Sequence, residues 1–168
     1  MFSRIFFILQ LMKIIILIAL FATPLFTLAQ SKVMRELSND YPDAFVLMFY
    51  HSSLNMLNMD DDPDFARMIR DIDRIKVLRI DKEDDNFRKA DLSALKSNLT
   101  DRGFEELMII KSKDYDIGVY ILEDDDDIEG FFLLMDEAEN FTAIDVLGSM
   151  PVGDISQLVE KIKDVKDL

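Results

Sequence analysis

Residues 104–147 read FEELMIIKSKDYDIGVYILEDDDDIEGFFLLMDEAENFTAIDVL, and the period of this stretch decides the fold. Leu107 and Ile109 alternate with Met108 and Ile110. Ile117, Val119 and Ile121 alternate with Asp116, Gly118 and Tyr120. A period of two belongs to a strand, whose successive side chains point to opposite faces. Lys113-Asp114 is a tight connection, and Glu123–Asp127 (EDDDD) makes the next turn. Ile128–Met135 is a third strand, and Glu137–Asn140 turns into a fourth at Phe141–Leu147. Four strands with short links predict an antiparallel meander.

Upstream, the period is mostly helical. Ser31–Asn39 predicts a short helix with Val33, Met34 and Leu37 on its apolar face. Tyr41-Pro42-Asp43 ends it, because proline restricts the residue before it. Ala44–Tyr50 (AFVLMFY) is a nearly continuous apolar run, which predicts a strand buried on both faces. Ser52–Met59 predicts a turn or two of helix with Leu54, Met56 and Leu57 inward. Asp60-Asp61-Asp62-Pro63 starts a further helix: an acidic side chain caps the open amides and proline suits the first turn. Phe65, Met68, Ile69 and Ile72 form its stripe. Ile75–Ile80 is a short strand. Leu92, Leu95 and Leu99 mark a helix over Asn86–Arg102, with Gly103 where a left-handed cap is wanted. Asp154 opens a last helix, with Gln157 three residues on and Ile155, Leu158, Val159 and Ile162 inward. The expected fold is α+β: an antiparallel-rich sheet, including the C-terminal four-strand meander, with amphipathic helices packed on one face.

The start of the chain has a different character. Ile14–Ala22 (IIILIALFA) follows Lys13, and Pro24 and Thr27-Leu28-Ala29 come next, with small residues at −3 and −1 of a cut after Ala29. A cation, a short apolar core and a small-residue site predict a signal peptide over residues 1–29. Met12-Lys13 offers a second start that gives this signal an ordinary layout. A single domain is expected over residues 30–168. The alternative is a retained membrane helix, interrupted by Gln10, Lys13 and Pro24.

The chain has 168 residues, with 19 Lys plus Arg against 33 Asp plus Glu and a net charge of −14. Loss of Arg4 and Lys13 with the leader leaves 17 basic residues against 33 acidic ones, a net charge of −16. Such a balance argues against nucleic-acid binding, which needs a basic surface. There is no Cys, which excludes disulfides, thiolate sites and a lipidated N-terminal Cys. Membrane attachment is therefore expected only through an uncleaved leader, and no cofactor is expected. The expected location is the periplasm or the exterior.

Chemistry-bearing residues are few. The acidic runs nominate Asp60, Asp62, Asp124 and Asp126 as cation ligands, since calcium takes six to eight oxygens. The ordered loop spacing of a calcium hand is missing, and contiguous aspartates in a strand cannot converge on one ion. Solvated turns and a helix cap account for them better. His51 stands beside Ser52 and Ser53, but adjacent residues rarely place a nucleophile against its base, and there is no G-x-S-x-G elbow. Met48, Met56, Met59 and Met68 fall on apolar faces and read as core rather than as a soft-metal site. Asn98-Leu-Thr100 and Asn140-Phe-Thr142 match the glycosylation pattern.

The order of elements carries a resemblance. A short strand leads into HSSLNMLNM, then DIDRIKVLRID, then a helix, then the meander and a closing DISQL at Asp154–Leu158. The most telling parts are Glu106–Met108, Ile117–Tyr120 and Phe131–Met135. Over most of Ala44–Val165 the chain resembles an exported Bacteroidota family, the domain of unknown function 4252. The resemblance implies export and transfers no catalytic residue. Three functions stay open: a non-enzymatic module that contacts another envelope protein by a sheet edge or apolar patch; a divalent-cation module; and a carboxylate-dependent hydrolase, which requires a deep pocket with two buried carboxylates.

Overall fold

The computed structural model describes residues 26–58, 61–124, 127–151 and 153–155, without the side chains of 26–31, 57, 124 and 127. The elements are α1 (Phe26–Asp40), β1 (Phe45–Tyr50), α2 (His51–Leu54) with a tighter turn at Asn55–Leu57, α3 (Pro63–Ile69), β2 (Ile72–Asp81), α4 (Lys89–Asp101), β3 (Glu105–Lys111), β4 (Tyr115–Asp124), β5 (Asp127–Glu137) and β6 (Asn140–Gly148). The six strands form one sheet in the order β1-β2-β6-β5-β4-β3, with every neighbouring pair antiparallel. The fold class is α+β as expected, and the C-terminal meander from β3 to β6 stands as the alternation dictated.

Alternation along the strands feeds two cores. Phe132, Leu134, Phe141, Ala143, Leu78 and Ile80 face the long helices α1 and α4, which contribute Val33, Met34, Leu37, Leu95 and Leu99. Phe104 meets Phe132 edge-on at 5.4 Å, and Phe87 stacks on Phe141 at 4.5 Å. Such ring pairs add to what burial alone contributes. On the other face Phe131, Leu133, Ile144, Val146 and Val119 meet Leu54, Phe65, Met68 and Ile69 from α2 and α3. The expectation of helices on one face thus needs an amendment: the two long helices share a face, and short ones cover the other. Periodicity gives each helix an apolar stripe but does not say which side of a sheet receives it.

Three local expectations are corrected. α3 stops at Ile69, and Ile72 opens β2 instead of completing the helical stripe. Met56 points outward at 74% exposure, although Leu54 beside it is buried. β1 is not buried on both faces: it is the edge strand, with Phe45 at 60% and Tyr50 at 59% exposure. α1 extends the expected 31–39 helix towards the N-terminus, and α4 ends at Asp101, with Gly103 just beyond it at φ +89°, as its sequence requires. The leader before residue 26 lies outside the described residues, as does the last helix beyond Ile155, whose own side chain is buried.

Tyr120 supplies a titration test of the packing. Its ring is buried in the core shared with α1 and α4, and its hydroxyl donates to Glu106 Oε2 at 3.0 Å. Burial, reinforced by the Glu106 hydrogen bond, pushes the phenol from 10.0 up to about 12. A raised folded pKa means the contribution is whole below the unfolded value and is lost as pH rises through the folded one. Stability is therefore expected to fall between pH 10.0 and about 12. The slope should flatten in Tyr120→Phe, followed by urea unfolding across that range; an unchanged slope would contradict the assignment.

Candidate functional site

Of the four acidic candidates only Asp62 has a described side chain. Asp62 is a helix cap: its carboxylate accepts from the amides of Asp64 at 2.9 Å and Phe65 at 3.4 Å, with Pro63 in the first turn. Asp124 ends β4, where its backbone pairs with Asp127. Asp60 and Asp126 lie outside the described residues. Among the described residues no cluster of three or more His, Cys, Asp or Glu side chains is arranged to hold a metal ion. His51 and Ser53 also turn to separate partners. His51 Nδ1 meets the Ile72 carbonyl at 2.9 Å, and the Ser53 hydroxyl bonds the Tyr50 backbone.

One cleft of about 160 Å³ opens between α1 and α4, with Leu37, Phe87 and Leu95 below and Glu36, Asp40 and Asp91 at its rim. Glu36 is tied across the helices, accepting from Arg102 Nη2 at 2.8 Å and from Asn98 Nδ2 at 3.2 Å. The Asn98 bond, ahead of the Arg102 charge and against the opposing effect of burial, holds Glu36 below its ordinary value. A proton donor needs the opposite shift. Burial first, then Asp91 and Asp40, pushes the Tyr41 phenol up. Asn98 is spent on the Glu36–Arg102 network rather than offered to solvent. A shallower depression of about 350 Å³ lies around Tyr115, Asp116 and Asp136, where the β3–β4 and β5–β6 connections meet.

A better-defined arrangement is centred on β1. Its six residues FVLMFY carry no charge and no proline, and the strand pairs with β2 without a register shift. Natural edge strands are usually protected by charge, proline or a bulge, because a bare row of amides and carbonyls templates further pairing. The opposite edge, β3, has that protection: Glu105, Glu106 and Lys111 lie on it, and its register shifts between Glu106 and Met108. β1 has none.

Three charges, Arg74, Lys76 and Asp145, lie behind β1 on its neighbouring strands. Met48 and Tyr50 stand across from Lys76 and Arg74 on β2, and Lys76 stands across from Asp145 on β6. Asp145 is fully buried and forms an ion pair with Arg74 at 3.6 Å. Burial holds Lys76 below its ordinary pKa, with Asp145 opposing and Arg74 adding to the shift. A one-residue slip of β2 on β6 would carry these charges to the other face. Buried ionic groups of this kind are best attested as devices that select one register. Asp145 escaped the sequence reading, yet a signal existed: in FTAID it continues the inward series Phe141, Ala143.

No curated protein matches the chain. Residues 43–158 match the model of the family described as Domain of unknown function (DUF4252), a span that begins just before β1, includes the whole sheet and ends just beyond Ile155. That match covers more than half of the chain, and the protein belongs to the DUF4252 family.

Proposed function

We propose that this protein is an exported, non-enzymatic interaction module that takes up a further strand on the outer edge of β1. The observation that carries the reading is the unprotected edge itself: an uncharged apolar strand at the end of an otherwise well-defended sheet. Strand addition draws affinity from backbone hydrogen bonds and selectivity from alternate side-chain pockets. Phe45, Val46 and Tyr50 offer apolar contact on both sides of such a strand. Export fits the leader pattern, and the exported chain is expected to begin at Gln30.

A photoreactive residue placed at Phe45 in the producing organism tests this. It is expected to give an adduct with a second polypeptide, and Val46→Pro should abolish that adduct. The same residue at Ile109, on the defended edge, should give none. Equal adducts from both edges, or adducts indifferent to Val46→Pro, would contradict the reading.

A further inference from the structure

The hydrogen-bonding pattern of β1 is more specific than its apolar character. In β2 the even-numbered residues face β6, as the bond from Lys82 N–H to the Glu139 carbonyl at 2.9 Å shows at the end of that ladder. Odd-numbered residues of β2 therefore face β1, and their partners there are Phe45, Leu47 and Phe49. In an antiparallel ladder each residue directs both backbone groups to one side. Val46, Met48 and Tyr50 accordingly direct theirs outward. Tyr50 is already satisfied: the Ser53 hydroxyl accepts from its N–H at 3.1 Å and donates to its C=O at 2.9 Å. At the other end the Ala44 N–H is taken by the Tyr41 carbonyl at 3.2 Å. The outward window is thus two residues long, Val46 and Met48.

We infer that the occupant of this window is a second copy of the chain, paired antiparallel through β1 about a two-fold axis at Leu47; the inference rests on the reading of β1 as the interaction edge. In this register Val46 of one copy lies opposite Met48 of the other, and the converse pair follows by symmetry. The outward N–H and C=O groups of Val46 and Met48 in both copies are then satisfied. Centring the pair on Met48 would instead set Val46 against Tyr50, whose groups are already engaged.

Side chains agree with this register. Leu47 meets its own copy on the axis, and Phe45, 60% exposed, comes opposite Phe49 on the same face. No charge lies within the paired strands, so the register places no like charges directly across from each other. The antiparallel sense brings the Asp43 end of one strand to the His51 end of its mate. Closure is favoured over a filament. A filament would need β1 of one copy on β3 of the next, and the charges and bulge of β3 oppose that, whereas an isologous pair closes at two.

Leu47→Cys gives the most specific test, since the chain contains no other cysteine. Opposed residues at a non-hydrogen-bonded position have Cα atoms about 4.5 Å apart, within disulfide range. Under mild oxidation Leu47→Cys is expected to form a covalent dimer, and Val46→Cys, diagonal to its own copy, at least tenfold more slowly. Light scattering should show the parent at twice the monomer mass and Val46→Pro at the monomer mass. That proline removes an outward N–H and leaves the β1–β2 ladder intact, so circular dichroism should match the parent. Added salt should strengthen the pair, because it screens repulsion between two strongly acidic chains. A parent that is monomeric at every concentration, or equal cross-linking at 46 and 47, overturns self-pairing. The wider reading of the edge is judged separately: a heterologous adduct from Phe45 in a monomeric parent preserves it, and absence of any adduct removes both.

Discussion

Replacing Asp145 with alanine is expected to destabilise the domain by about 3 kcal/mol, because breaking a buried ion pair from one side leaves its partners uncompensated. The carboxylate has no solvent exposure, and both cations beside it, Arg74 and Lys76, are largely withdrawn from water on the same strand. Without Asp145 nothing opposes the burial that already holds the Lys76 ammonium below its ordinary value. Urea unfolding would show the loss as a lower midpoint at unchanged slope. The rescue is as informative as the loss. Asp145→Leu combined with Arg74→Met and Lys76→Met should recover most of the stability, since apolar replacement of a whole buried ionic group is often neutral or better. If the charges serve register, the triple variant should also show doubled or broadened amide signals along β2 and β6. A loss below about 1 kcal/mol for Asp145→Ala would contradict the role assigned to it.

Gly148→Ala is expected to cost a comparable amount, about 3 kcal/mol, through two separate terms. Its φ of +127° lies where side chains are strained, a cost of order 1–3 kcal/mol. A methyl there would also collide with the Asp71 carbonyl oxygen and lie 2.7 Å from Ile72 Cα and 2.8 Å from Asp73 N, all of them backbone atoms that cannot swing aside. This is the point where β2 and β6 shift register between Ile72 and Arg74. Gly103→Ala is the control. That residue also has positive φ, at +89°, but the nearest atom to an added methyl is 3.8 Å away. Only the conformational term remains, about 1 kcal/mol. Thermal melts of the two variants should differ clearly; equal midpoints would mean that the close approach at Gly148 does not exist.

What the sequence revealed follows from the reach of each signal. The meander was legible because strand alternation and short turns are local, and Ile117, Val119 and Ile121 sit on one face as their spacing requires. The Asp62-Pro63 helix start was legible for the same reason. Position within a sheet is not local. An apolar run such as FVLMFY reads alike at the centre and at the edge, and only the order β1-β2-β6 separates the cases. Ile72 fitted an i+7 helical position and also a strand start, and pairing with Gly148 decided it. The contact between Arg74 and Asp145 joins residues far apart in sequence, so no short-range spacing announces it. The four acidic candidates drew notice because they lie in contiguous acidic runs; the buried acid of the sheet, Asp145, stands alone inside an apolar strand.

The central claim is that the outer side of β1 is open and ready to pair. Residue-resolved amide hydrogen exchange on dilute protein measures it directly. The amides of Leu47 and Phe49, bonded to β2, should exchange slowly, and those of Val46 and Met48 quickly; raising the concentration should slow Val46 and Met48 alone. Slow exchange at Val46 and Met48 in the dilute monomer would mean that this edge is already covered, and the account would fail.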